Sequence, residues 1–129
     1  AELLGRVNLD PAILDSLPGD LSGGMRKRVG VARAIATRPR YLLYDEPTTG
    51  LDPVNAEHID RLILELRREL GVTGIVVTHD LDSAFRVGDR IALLLEGRIH
   101  ACGTPAEVLA NEDPRVKEFV RRGRRAAVA

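Results

Sequence analysis

The sequence has no tryptophan, one cysteine and one methionine in 129 residues. A single cysteine, Cys102, excludes an intrachain disulfide and suits a reducing compartment. Cys102 lies in a strand-like stretch with no motif around it, so a catalytic thiol is not expected. No apolar run approaches membrane-spanning length, and no signal peptide is visible. Association with a membrane would therefore go through a partner. The chain opens on Ala1 and its only methionine is Met25, which predicts a longer protein continuing upstream. Glutamine is absent altogether, and lysine occurs only at Lys27 and Lys117, neither of them after a glycine. Excess charge is missing too: 19 basic and 19 acidic residues cancel, leaving no electrostatic reason to expect nucleic-acid binding.

What is present is ordinary for a folded α/β chain. Hydrophobic residues make up 44% and charged residues 29%, which argues against wholesale disorder. Asp10-Pro11 and Pro18-Gly19 are turn signals after a short helix end. Ser22 reads as a helix N-cap, with Val29, Ala32, Ile35 and Ala36 as the apolar face of a helix ending near Thr37. Tyr41 to Tyr44 and Ile75 to Thr78 read as two buried parallel strands. Between them a helix starts around Pro53, with the stripe Ile59, Leu62, Ile63, Leu66, Leu70 and a stop at Gly71. A short helix over Leu81 to Val87 is followed by a hairpin turning at Glu96-Gly97. Thr104-Pro105-Ala106-Glu107 matches a capping box, and a last helix starts at Pro114. The alternation predicts one α/β domain with a parallel core and no internal repeat.

Four short motifs bear residues suited to chemistry. Leu21-Ser22-Gly23-Gly24-Met25 places glycines, a hydroxyl and free N–H groups at a helix start. Such a start favours an anion, although an ordinary capped helix would look the same. Tyr44-Asp45-Glu46-Pro47 puts two carboxylates at the end of an apolar strand, where α/β folds place ligands. Asp45 suits Mg²⁺ held through water, and Glu46 suits an attacking water; the plain alternative is an exposed turn. Thr49-Gly50-Leu51-Asp52-Pro53 is by itself only a turn before a capped helix. His79, after Val76-Val77-Thr78, could bond a terminal phosphate or the attacking water. His58 and His100 have no such setting and read as surface residues. All three strand-end residues, Asp45, Glu46 and His79, are expected at one sheet edge.

In this order the motifs resemble the ABC ATPase family. Leu21 to Met25 resembles its signature motif, with Met25 where glutamine is usual. Tyr41 to Glu46 resembles the Walker B strand with its catalytic glutamate, Thr49 to Asp52 the D-loop, and His79 the H-loop histidine. The resemblance implies a P-loop NTPase-like parallel sheet with flanking helices. It also implies that residues 1–129 are the C-terminal part of such a domain. The Walker A loop, Gly-x-x-x-x-Gly-Lys-Ser/Thr, and the Q-loop glutamine are absent from these residues. The implied activity is ATP hydrolysis by the complete subunit with ATP and Mg²⁺, these residues alone being inactive. Glu46 and His79 would be catalytic and Asp45 would hold the metal. Ser22, Gly23 and Gly24 would close over ATP bound to a second, head-to-tail copy, with Asp52 near the seam.

The implied partners are that second copy and membrane permease subunits, which would hold the protein at the cytoplasmic face of the inner membrane. Leu21 to Ala36, Asp82 to Arg86, Gly103 to Pro105 and Asp113 to Phe119 further resemble ATPases of Mla/Mce-type phospholipid transport. That likeness implies lipid transport between bacterial membranes and an Mce-type lipid-binding partner. Two other readings stay open: a soluble ABC ATPase of translation or DNA repair, and a non-catalytic binding module. The cluster Arg121, Arg122, Arg124, Arg125 reads as a solvated tail, or as a contact for anionic lipid or a partner protein.

Overall fold

The computed structural model describes residues 1–126; the side chains of residues 124–126 lie outside that description, and with them Arg124 and Arg125 of the basic cluster. The chain divides into two compact units, Ala1–Val77 and Thr78–Ala129.

The first unit opens with α1 (Glu2–Arg6) and two single turns of 3₁₀ helix, Pro11–Asp15 and Pro18–Asp20. Each turn starts at a proline, whose fixed φ suits a first helical position. Asp10 caps the first turn by accepting from the Ala12 N–H at 2.8 Å. α2 (Gly23–Ile35) packs against α1 and α3. Ala32 and Ile35 are its buried apolar residues. Ala36, expected on the same face, is exposed, because the helix has already ended there and Arg38 turns the chain at φ +49°.

β1 (Tyr41–Asp45) leads through a loop into α3 (Pro53–Leu70), which returns the chain to β2 (Thr73–Val77). β1 and β2 pair in parallel, Tyr41 opposite Thr73 and Asp45 opposite Val77. Of the stripe expected on α3, Ile59, Leu62, Ile63 and Leu66 are buried, and Leu70 at the end of the helix is half-buried. Each such side chain contributes about 1.5–3 kcal/mol by leaving water. α3 stops because Gly71 takes the left-handed conformation at φ +62°, a position that strains any residue bearing a Cβ.

The strands depart from the expectation of full burial. Leu42 and Tyr44 point inward, and burial raises the Tyr44 phenol above its ordinary pKa. Leu43 is 76% exposed on the opposite face of β1. Ile75 and Val77 of β2 are exposed as well. With two strands, and one face of β1 covered, the apolar runs cannot be buried on both sides.

The second unit contains α4 (Leu81–Val87), β3 (Ile91–Leu95), β4 (Arg98–Gly103), α5 (Pro105–Leu109) and α6 (Pro114–Ala126). β3 and β4 form an antiparallel hairpin. Glu96 and Gly97 both have positive φ, 50° and 74°, the combination of a two-residue turn that matches strand twist. Leu81, Ile91, Leu93, Ala101, Val108 and Val116 form the core, with Phe85, Phe119 and Val120 packed against it. The register shifts between Leu93 and Leu94, leaving His100 as the extra residue of a bulge. His100 is therefore not the surface residue expected: its side chain is 14% exposed, and Nδ1 lies 3.9 Å from an Asp113 carboxylate oxygen. The capping box is present, with the Thr104 N–H donating to Glu107 Oε2 at 2.7 Å and the Glu107 N–H to Thr104 Oγ1 at 3.3 Å.

Candidate functional site

Ser22 does what its place before two glycines predicts. Its Oγ accepts from the Met25 N–H at 3.2 Å and caps α2. Arg26 folds back to donate to the Leu21 carbonyl, and Arg28 reaches the Asn8 carbonyl at 3.0 Å. These bonds hold the Leu21–Gly24 segment at the start of a rigid helix. Gly24 packs closely on the Asn55 side chain. A Cβ on it would lie 3.2 Å from the Asn55 side-chain oxygen, closer than ordinary van der Waals contact. The glycine pair thus lies against the start of α3.

Asp45 ends β1 with an exposed side chain, and Glu46 follows half-buried. Contacts from both of its sides fix Glu46. Its N–H donates to the Val77 carbonyl at 2.9 Å, extending the parallel ladder one step. Its carbonyl accepts from Lys27 Nζ at 2.8 Å and from the Thr49 N–H at 3.3 Å. Its carboxylate accepts from Thr49 Oγ1 at 2.8 Å. The backbone between these anchors sits at φ +46°, which is unusual for a long side chain and occurs where surroundings over-determine it. The turn closes with Gly50 at φ +77° and the Leu51 N–H on the Thr48 carbonyl at 3.2 Å.

Asp52 then caps α3. One carboxylate oxygen accepts from the Val54 and Asn55 N–H groups at 3.1 and 3.0 Å, the other from the Asn55 amide at 2.5 Å. The Asn55 side-chain bond first, and the backbone bonds after it, hold the Asp52 carboxyl below its ordinary pKa. Within the first unit the fold therefore gathers Ser22, Gly23, Gly24, Glu46 and Asp52 through Lys27, Thr49 and Asn55. The sequence names Thr49 as part of a turn and Lys27 only as one of two lysines, and it gives no role to Asn55. No local pattern links Lys27 to Glu46, 19 positions away.

His79 belongs to the second unit, in the turn before α4. The residues flanking it are tied locally: the Asp80 N–H donates to Thr78 Oγ1 at 3.0 Å, and Asp80 caps α4 through the Ser83 N–H at 3.1 Å. Among the described residues no group of three His, Cys, Asp or Glu side chains could hold a metal ion. Asp45, a lone exposed carboxylate, fits a cation that takes its remaining oxygens from phosphates and water.

A family model for the ABC transporter matches residues 1–49. The chain is 42% identical over 120 residues to the glycine betaine/carnitine/choline transport ATP-binding protein OpuCA of Bacillus subtilis (strain 168). That match covers 92% of the chain and 32% of the relative. It is 46% identical over 121 residues to the methionine import ATP-binding protein MetN 2 of Rhodococcus jostii (strain RHA1), covering 93% of the chain and 35% of the relative. Among solved structures, the ADP conformation of an ATP-binding cassette of an ABC transporter superposes with a TM-score of 0.80 at 32% identity. That superposition covers 92% of the chain and 47% of the solved one. Over nearly all of its length the chain is similar to ATP-binding proteins of ABC transporters.

It spans about a third of the length of the curated ABC relatives it matches. A second ABC structure, a dimeric post-hydrolysis state bound to ADP and Pi, matches with a TM-score of 0.69 at 38% identity, over 81% of this chain and 44% of that one. The parallel α/β arrangement expected from the motifs is the arrangement of these ATP-binding cassettes. Among the described residues no helix is long and apolar enough to cross a membrane.

Proposed function

We propose that residues 1–129 are one part of an ABC ATPase domain, and that the complete subunit hydrolyses ATP to drive a membrane transporter. The observation that carries this reading is Glu46: a carboxylate at the end of a parallel strand, held by Thr49 in a left-handed turn that the rest of the first unit enforces. Glu46 orients and deprotonates the attacking water. Asp45 would hold Mg²⁺, which when bound would neutralise charge on the phosphates. His79 bonds the terminal phosphate or that water. Ser22, Gly23 and Gly24 supply a hydroxyl and the free N–H groups of a helix start to ATP on a second copy of the subunit. Asp52, at the start of α3 beside the glycine pair, lies near the seam of that head-to-tail dimer. The phosphate-cradling Walker A loop and the Q-loop belong to another segment of the domain, and permease subunits would hold the subunit at the cytoplasmic face of the membrane.

Transport is favoured over a translation or repair role, because the relatives are named as transport and import ATP-binding proteins. Their names speak of osmoprotectants, choline and methionine, so small-solute import has more support than phospholipid transport. The phospholipid reading, with its Mce-type partner, rests only on the short stretches around Met25, Phe85, Thr104 and Phe119.

The test is Glu46→Gln in the full-length subunit. The amide keeps the shape and loses the base, so ATP turnover is expected to fall at least about a hundredfold while ATP binding persists. Near-normal steady-state turnover would overturn the role given to Glu46.

A further inference from the structure

We propose that Lys27 is a positioning residue for Glu46, tying the helix that carries Ser22–Gly24 to the carboxylate that handles water. The proposal rests on the reading of Glu46 given above. Lys27 Nζ donates to the Glu46 carbonyl oxygen at 2.8 Å in a partly buried setting. Its stem lines a small cavity with Tyr44, Asp45 and Pro47. An ammonium that only needed solvation would extend into water, as flexible lysine side chains ordinarily do. Here it is directed at one peptide oxygen, and that peptide follows a residue at φ +46°.

The geometry explains why that oxygen matters. Rotation of the Glu46–Pro47 peptide would turn that carbonyl away from Lys27 and displace the turn that follows, and with it the Thr49 hydroxyl that holds the Glu46 carboxylate. The Val77 carbonyl fixes the N-terminal side of Glu46, and Thr49 fixes the side chain and shares the carbonyl. Lys27 adds a charge-assisted bond to that carbonyl from a different element, α2. Lys27 lies in the second turn of α2, whose first turn holds Gly23 and Gly24. A ligand gripped at that helix start is thereby mechanically connected to Glu46. Lys27 itself touches no substrate atom in this account.

The test compares Lys27→Met, Lys27→Arg and Glu46→Gln in the full-length subunit, each first shown to bind ATP. Lys27→Met is expected to lower kcat at least about tenfold with the ATP KM within about twofold, since a small misplacement of a catalytic group can itself reduce rate that far. Lys27→Arg keeps a cationic donor and is expected to recover most of kcat. If Lys27→Met does not fold, Lys27→Gln replaces it with the same expectation. Wild-type kcat in the folded Met or Gln variant, or a raised KM alone, overturns the proposal while leaving an inactive Glu46→Gln intact. Full turnover in Glu46→Gln instead removes the base reading on which the proposal stands.

Discussion

Asp52 accepts three hydrogen bonds with two oxygens, and its carboxyl titrates below the ordinary 3.8 as a result. The sign of the stability effect follows. A depressed folded pKa means the cap contributes fully above about pH 3.8 and is lost as pH falls through the lower folded value. Asp52→Ala is therefore expected to be less stable than the parent at neutral pH, with the difference shrinking below that pH. Urea unfolding of both proteins at several pH values checks this. At this scale the sequence was legible where chemistry is local. Ser22, Asp52 and Thr104 each act on residues within three positions, and their capping roles could be read directly. Lys27 and His100 were not legible, because one partner lies across the fold and the other depends on a bulge.

Among the elements, α3 was the most fully written in its sequence. Its buried positions repeat every three or four residues, as a helix with one covered face requires, and its two ends carry a proline after a capping aspartate and a left-handed glycine. Leu66, with 0% exposure, is expected to lose about 2–5 kcal/mol of stability on change to Ala, measurable by chemical denaturation. A loss under about 1 kcal/mol would mean that the site collapses around the smaller side chain. β1 and β2 were read correctly as parallel strands, while the burial expected of them holds for Leu42 and Tyr44 and not for Leu43, Ile75 and Val77. A run such as Leu42-Leu43-Tyr44 reports that both faces are apolar; it carries no information on what covers each face.

For the whole chain, four ordered motifs pointed to the same ABC proteins that the chain is similar to, where composition alone gave only a neutral α/β domain. Transported substrate was not legible by the same route, since the chemistry of this chain concerns phosphate and water. Nucleotide affinity should also be missing from residues 1–129 taken alone. They contain no glycine-rich loop ending in lysine, and Lys27 is engaged with Glu46. Calorimetric titration of the folded chain with Mg-ATP is expected to show no micromolar binding; finding it would mean that phosphate is held by other residues.

The two strand pairings also differ in time. β3 and β4 close across Glu96 and Gly97, and hairpins of that kind form in about 1–10 μs. β1 meets β2 only after α3 has been crossed, a closure of about 30 residues whose entropy must be met before any parallel contact repays it. The ladder step that anchors Glu46 to Val77 lies at the far end of that pairing. The left-handed setting of Glu46 therefore depends on the longer of the two closures, and refolding followed at that residue is expected to lag refolding followed in the β3–β4 hairpin.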